Sequence, residues 1–152
     1  MRMFLVAALV AAASAELFYV DLTGANDASH NEAPTIIVHT GDLIKVTFKE
    51  NPTTGYTWQF ADPIESTQGV FTIEMDDYSQ NANPEEAYAG AGGIRSVVLK
   101  AEKAGTQGLE AILVRSWEAN QFVESTDLDG QHVDIKSIPH VDYKNLIVTV
   151  SE

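Results

Sequence analysis

The side chains best suited to acid–base or metal chemistry in this sequence are four histidines: His30, His39, His132 and His140. They lie in or beside predicted loops, and their spacing matches neither the H-E-x-x-H nor the H-x-x-E-H pattern of zinc enzymes. The sequence also lacks a nucleophile motif such as G-x-S-x-G. We interpret the histidines as solvated turn residues and predict that the protein is not an enzyme.

Two further motifs resemble parts of a calcium-binding loop and of a phosphate-binding loop, but each lacks an essential feature. Asp127–Gly130 matches half of a calcium-binding loop, but Lys136 stands where that loop needs a bidentate glutamate. The glycine-rich stretch Gly90–Gly93 precedes no helical pattern, so it is a poor phosphate cradle. The sequence therefore predicts no metal site and no cofactor, while a calcium-dependent secreted domain using the acidic loop stays an alternative.

Composition excludes several classes of partner and chemistry. The 152 residues carry 22 acidic and 9 basic side chains, a net charge of -13, and no cysteine. This surplus of negative charge repels nucleic acid and anionic membranes, so we expect neither as a partner. The lack of cysteine excludes a thiol nucleophile, a thiolate zinc site and disulfides, and the fold must depend on packing alone.

The first fifteen residues predict a secretory signal peptide. Arg2 precedes an apolar run from Phe4 to Ala13, and Ala13–Ala15 forms an A-x-A cleavage site. The run is about half the ~20 apolar residues that span a bilayer. We therefore predict a signal peptide over residues 1–15 and a single domain over 16–152. The product would enter the secretory pathway and be secreted or retained in a lysosome-like or vacuolar compartment.

The rest of the chain alternates between apolar and polar residues with the period of a β-strand. In Leu43–Phe48, for example, Ile44, Val46 and Phe48 share one face. Turn residues separate such runs, and helical spacing is almost absent, which favours an all-β fold: an antiparallel β-sandwich of seven to eight strands. The predicted strands are Leu17–Leu22, Thr35–Val38, Leu43–Phe48, Tyr56–Phe60, Val70–Met75, Ile94–Ala101, Leu109–Trp117 and Leu146–Val150.

Three connections of this sandwich are predicted to share one end. The connection Lys49–Gly55, the one that ends at Gly93 and the one that starts at Trp117 are separated by even numbers of strands. Loops that are distant in sequence can then form a single rim, as in antibody variable domains. This arrangement favours a binding function over catalysis.

Three motifs in these connections resemble those of a known family. NPTTGYTW at residues 51–58, GAGGIR at 90–95 and RSWE at 115–118 are similar, in order and spacing, to the loop motifs of chagasin-type inhibitors of papain-like cysteine peptidases. The first motif is the most specific, and the third has Ser116 where the family usually has proline. The resemblance spans about Thr35 to Val150.

The resemblance implies an immunoglobulin-like sandwich, monomeric when free, whose loops enter the active-site cleft of one papain-like peptidase as a reversible, non-covalent wedge. The implied inhibitory residues are Asn51, Pro52, Thr53, Thr54, Gly55 and Tyr56 in loop 1, Gly90, Ala91, Gly92, Gly93 and Arg95 in loop 2, and Arg115, Ser116 and Trp117 in loop 3.

The residues themselves suit that role. Pro52 and Gly55 restrict the tip of loop 1 to one conformation, and Trp117 can anchor the other side of the rim. The competing structural interpretations are a buried Trp58 and a Tyr56 that braces the loop base. The acidic segment 118–142 either extends the contact surface or is a solvated excursion. The alternative function is a secreted immunoglobulin-like adhesion or recognition module whose loops bind a surface partner.

Overall fold

The computed structural model describes residues 14–24, 33–60, 69–80, 92–118, 123–126, 130–133 and 142–152. Within these ranges the chain forms ten strands, and the helical elements reduce to one 3-10 turn, Pro52–Thr54. The strands are β1 Leu17–Asp21, β2 Thr35–His39, β3 Leu43–Glu50, β4 Tyr56–Phe60, β5 Phe71–Gln80, β6 Gly93–Ala101, β7 Gly105–Arg115, β8 Val123–Thr126, β9 Gly130–Val133 and β10 Tyr143–Ser151.

Eight of these strands form two four-stranded sheets, which confirms the predicted sandwich. The strand orders are β1-β3-β6-β5 and β2-β10-β7-β4, and β8 and β9 form a separate hairpin. Each sheet is mixed, because β1 runs parallel to β3 and β2 runs parallel to β10, while the other pairs are antiparallel. The chain leaves the first sheet after β1, forms β2 in the second and returns as β3, and such a crossover makes neighbouring strands parallel.

Side chains from the inner faces of both sheets form the core. In β3, Ile44, Val46 and Phe48 have no exposed surface, as the alternation predicts. They pack with the inward residues of the other strands, with Phe48 5.3 Å from the ring of Trp58. The remaining core residues are Val38, Val70, Phe71, Val97, Leu99, Ala101, Leu109, Ala111, Leu146, Val148 and Val150.

A bulge in β5 changes which of its residues face the core. Ile73 pairs with Leu99 of β6, but the next pair in the ladder is Met75 with Val98, so Glu74 is an extra residue. Beyond the bulge the even-numbered residues of β5 take the inward positions. Asp76 pairs with Val97 and therefore lies on the same face of the sheet as the core residues, although its own side chain is 35% exposed. Met75 lies on the opposite face and is 47% exposed.

Some strand bounds differ from the predicted ones. β7 begins at Gly105 instead of Leu109 and ends at Arg115 instead of Trp117. The hairpin β8–β9 lies inside the long connection that was predicted without strands; its Asp129-Gly130 dipeptide is a common hairpin turn signal. The predicted leader lies outside the described residues except for Ser14 and Ala15. In the described ranges no helix is long and apolar enough to span a membrane.

Candidate functional site

Loop 1, residues 51–56, is a compact turn held by its own hydrogen bonds. The N–H of Thr54 donates to the carbonyl of Asn51 at 3.2 Å, and the N–H of Gly55 donates to that of Pro52 at 2.9 Å. The Thr53 hydroxyl donates to the Asn51 amide oxygen at 2.6 Å, and the Thr54 hydroxyl donates to the Asn51 carbonyl at 2.7 Å. Gly55 has a φ of 82°, in the left-handed region that favours glycine. The tip is therefore ordered before any partner arrives.

The base of loop 1 is fixed by Trp58 and Glu50. The indole of Trp58 is 3% exposed and donates to the carbonyl of Lys49 at 2.9 Å, which confirms the prediction that Trp58 packs in the core. Its backbone N–H donates to the Glu50 carboxylate at 2.8 Å. Glu50 is buried although it is charged. These bonds join the end of β3 to the start of β4 on both sides of the turn.

Loop 3 places a stack of side chains beside loop 1. Arg115 and Tyr56 are paired in the β4–β7 ladder, and the Arg115 guanidinium lies 5.0 Å from the centre of the Tyr56 ring and 5.8 Å from that of Trp117. Ser116 lies in the turn that follows, closed by a 2.9 Å bond from the Glu118 N–H to the Arg115 carbonyl. Trp117 is 69% exposed and Tyr56 is 38% exposed. Tyr56 thus packs under the loop and also contributes to its surface.

Loops 1 and 3 meet at Gly55. A methyl group at this position would lie 3.9 Å from Cη2 of Trp117, in ordinary van der Waals contact. The indole of Trp117 therefore lies directly beside the tip of loop 1. An exposed aromatic of this size next to a rigid turn is an arrangement common at protein-binding surfaces.

The described part of loop 2 lies against the other side of the base of loop 1. Gly90 and Ala91 are outside the described residues. At Gly92 a β-carbon would be 2.9 Å from the Glu50 carbonyl oxygen and 3.4 Å from Cβ of Asn51. Gly93 pairs with Glu50 on one side and with Gln80 of β5 on the other. Both glycines are required because strand backbone approaches them too closely for a side chain.

Arg95 lies in β6, not in the loop, and its side chain points into the end of the sandwich. The guanidinium donates to both carboxylate oxygens of Asp76, at 2.7 and 2.5 Å, to Glu50 at 3.2 Å and to the Trp58 carbonyl at 2.7 Å. Its side chain is 18% exposed and lies 5.2 Å from the Phe60 ring. Its hydrogen bonds to the Asp76 carboxylate raise the pKa of Arg95 above its usual value. Arg95 joins four strands and positions the loops.

Glu50 is the residue of this site that the sequence analysis missed. The signal was present, because Ile44, Val46 and Phe48 occupy alternate positions and the next position in that series is Glu50. A charged residue on an inward face needs a partner, and Arg95 continues the same inward series in β6. Together these two residues close the end of the core beneath loops 1 and 2.

The sheet register brings all three loops to one end of the sandwich. The start of β4 pairs with the end of β7 through Tyr56 and Arg115, and the end of β3 pairs with the start of β6 through Glu50 and Gly93. The turns at residues 40–42 and 102–104 lie at the other end. Among the predicted site residues that the structure describes, those of loops 1 and 3 and the glycines of loop 2 surround one surface, and Arg95 lies beneath it.

The other chemical groups singled out in the sequence lie apart from this surface or outside the described residues. His39 is at the end of β2, with its Nδ1 3.7 Å from a carboxylate oxygen of Asp42. His30 and His140 lie outside the described residues, and only the backbone of His132 is described, in β9. Within the described ranges no group of three or more histidine or acidic side chains could hold a metal ion.

Comparison with known proteins agrees with this architecture. Residues 37–128 match the family described as Chagasin family peptidase inhibitor I42. Chagasin of Trypanosoma cruzi is 30% identical over 91 residues, covering 59% of this chain and 78% of chagasin. Amoebiasin-2 of Entamoeba histolytica is 32% identical over 84 residues, covering 55% of this chain and 64% of amoebiasin-2.

Two solved structures share the fold. The crystal structure of the cysteine protease inhibitor EhICP2 from Entamoeba histolytica aligns with a TM-score of 0.58 at 20% identity, covering 90% of this chain and 96% of that one. The solution structure of amebosin aligns with a TM-score of 0.51 at 17% identity, covering 91% and 100%. This chain belongs to the chagasin family of peptidase inhibitors. It is a chagasin-family cysteine protease inhibitor and not an enzyme.

Proposed function

We propose that this chain binds one papain-like cysteine peptidase, reversibly and without a covalent bond, by inserting loops 1, 2 and 3 into its active-site cleft. The observation that carries the proposal is the contact geometry of the loop end: Trp117 lies beside Gly55 on one side of loop 1, and Gly92 lies against Glu50 on the other. Loops 1 and 3 and the described end of loop 2 are therefore adjacent, as insertion into a single cleft requires.

The conformation of loop 1 explains how it would block a peptidase without being cleaved. Peptidases bind substrates as extended strands, and a 3-10 turn that ends in a left-handed Gly55 cannot adopt that geometry without unfolding. The hydroxyls of Thr53 and Thr54 already bond within the loop, so they do not attack the target. Because the turn is formed in the free protein, little conformational entropy is lost on binding.

Loops 2 and 3 would supply affinity on either side. The backbone of Gly90–Gly93 can approach the strand-like edge of a substrate cleft closely, since it carries almost no side chains. On the opposite side the exposed indole of Trp117, supported by Arg115, would fill an apolar depression at the cleft margin. The acidic segment 118–142 leaves and rejoins the sandwich at this same end, next to that margin.

We also propose that residues 1–15 are removed as a signal peptide and that the single domain 16–152 acts in the secretory pathway, outside the cell or in a lysosome-like or vacuolar compartment. The support is the A-x-A site at Ala13–Ala15, followed at once by Glu16, whose backbone bonds to the β2–β3 turn. The first residue after the predicted cleavage site is thus hydrogen-bonded to the sandwich through its backbone.

Titration of papain with the purified mature domain tests the proposed function. We expect stoichiometric loss of peptidase activity at sub-micromolar inhibitor, full recovery of activity on dilution, and an intact inhibitor by mass spectrometry. Addition of calcium or a chelator should change nothing. Lack of inhibition at tens of micromolar would favour the secreted adhesion module instead, and a thermal stability that depends on calcium would favour the calcium-dependent domain.

Replacing Trp117 by alanine should weaken inhibition of papain about 30-fold or more. Truncation of a buried interface tryptophan commonly costs at least ~2 kcal/mol of binding free energy, and Trp117 is the largest exposed side chain of the loop end. The inhibition constant measures this change, and circular dichroism checks the fold. Tyr19→Ala is the matched control, because Tyr19 is 72% exposed on β1, away from the loops. Equal losses in the two variants would contradict the assignment of loop 3.

A further inference from the structure

Asp42 lies in the β2–β3 turn, at the end of the sandwich opposite the loops. It is one of two buried charged side chains among the described residues, the other being Glu50. One of its oxygens accepts the backbone N–H of Glu16 at 2.9 Å, and the other accepts that of His39 at 2.7 Å. These two hydrogen bonds lower the pKa of Asp42, so the carboxylate is charged at neutral pH.

The nitrogen of Glu16 is the atom that leader removal would change. In the full chain it is a neutral amide, but cleavage after Ala15 would make it the α-ammonium of the mature protein. Its position is held from both sides, since the Glu16 carbonyl also accepts the N–H of Leu43 at 2.8 Å. A positive charge created at this nitrogen would therefore lie within hydrogen-bond distance of a buried carboxylate without any movement of the chain.

We propose that Asp42 is the binding site for the α-ammonium of the processed chain, so that leader removal converts a neutral hydrogen bond into an ion pair that fastens β1 to the β2–β3 turn. This inference depends on the cleavage after Ala15 proposed above. It concerns the stability of the domain and not the inhibitory surface, which lies at the other end.

The charged side chains described near Asp42 are poor partners for its carboxylate compared with the α-ammonium of Glu16. Of the other charged groups described near it, His39 has its Nδ1 3.7 Å from the carboxylate, but the imidazole is 71% exposed, so water screens its interaction with Asp42. The side chain of Glu16 is exposed and acidic. A charge-assisted hydrogen bond to a shielded carboxylate is stronger than a surface ion pair, because water competes less.

The pH dependence distinguishes the ion pair from a neutral hydrogen bond. Pairing with Asp42 raises the pKa of the α-amino group above its unfolded value of about 7.7. A group whose pKa is raised by folding stabilises the protein fully below its unfolded pKa, and this contribution is lost as the pH rises through the folded pKa. Asp42, whose pKa is lowered, stays ionised throughout that range.

The test compares two mature proteins released from a cleavable fusion partner: one starting at Glu16 and one with a single glycine before it. The extra glycine keeps the Glu16 N–H as a donor but moves the ammonium about 3.8 Å along the chain. At about pH 6.5 we expect the protein that starts at Glu16 to unfold roughly 3–6 °C higher, and near pH 10 we expect the two to agree. Intact mass verifies that Glu16 has not cyclised.

Two further measurements make the outcome decisive. In an Asp42→Asn background the advantage of the Glu16 terminus at neutral pH should disappear, and if that variant fails to fold, NMR titration of the α-amino group replaces it, with a pKa raised above about 7.7 as the expected result. Equal unfolding temperatures at neutral pH, or a difference that persists near pH 10, would overturn the inference. Sequencing the N-terminus of the natural protein tests the cleavage separately, and a start elsewhere than Glu16 would overturn the role of Asp42 in the natural protein.

Discussion

Replacement of Thr54 by tryptophan is expected to weaken inhibition of papain at least about 100-fold while leaving the fold intact. Thr54 is exposed at the tip of loop 1, so the free protein can hold an indole there without burying it in the core. In the complex it would project several ångströms beyond the present surface and hold the wedge out of the cleft, which would also separate loops 2 and 3 from their contacts. The variant loses two hydrogen bonds of the Thr54 hydroxyl, which donates to the Asn51 carbonyl at 2.7 Å and accepts the Tyr56 N–H at 3.4 Å. Each is worth about 1 kcal/mol or less.

The matched control is Lys103→Trp, which adds the same bulk to an exposed turn at the opposite end of the sandwich. It should inhibit like the unmodified protein. A second variant, with two residues inserted after Thr54, should lose inhibition in the same way, because it disrupts the bond from the Gly55 N–H to the Pro52 carbonyl. If Thr54→Trp inhibits papain normally, loop 1 does not enter the cleft and the proposed wedge is wrong.

Replacing Arg95 by methionine should destabilise the domain by about 3–5 kcal/mol, the cost expected when a buried carboxylate loses its cation. Glu50 would stay buried at the edge of the core, where it would keep the hydrogen bond from the Trp58 N–H but lose its cation, and Asp76 would lose a bidentate partner. The unfolding temperature should fall by roughly 10–15 °C. Chemical denaturation measures the free energy of unfolding directly.

A second substitution tells whether the unpaired charge is the cause. Combining Arg95→Met with Glu50→Gln removes the charge but keeps an oxygen that can accept the Trp58 N–H, so we expect at least half of the lost stability to return. Lys100→Met is the control in the same strand, because its pair with Glu102 is exposed and should be worth no more than about 1 kcal/mol. A double variant as unstable as Arg95→Met alone would contradict this explanation.

Much of the fold and of loop 1 could be predicted from the sequence because the determinants are local. The two-residue period of Leu43–Phe48 alone indicates which side chains enter the core, and those side chains are buried. The tip of loop 1 has its shape because proline and glycine restrict the backbone within four residues. The burial of Trp58 follows from its position in a strand directly after that turn.

The remaining features depend on contacts between distant parts of the chain. Arg95 lies in the predicted strand Ile94–Ala101, but it was assigned to the inhibitory residues of loop 2 because the motif GAGGIR ends with it. Its structural role depends on Asp76, which lies 19 residues away in another strand. The parallel edge strands are set by the crossover between sheets, which no single segment encodes. The hairpin β8–β9 had a local signal in the dipeptide Asp129-Gly130, but that dipeptide is also part of the calcium-loop motif Asp127–Gly130, which predicts no hairpin.

The extra residue in β5 also limits how this protein can be engineered. If β5 were regular, Glu74 would pair with Val98 and each later residue would move by one position: Met75 would turn inward, and Asp76 would leave the guanidinium that it now binds. A chimaera that carries the three loops on a sandwich without this bulge would therefore lack the contact between Asp76 and Arg95 that supports the loops. The transplanted segment has to include β5 from before Glu74 onward, together with Arg95.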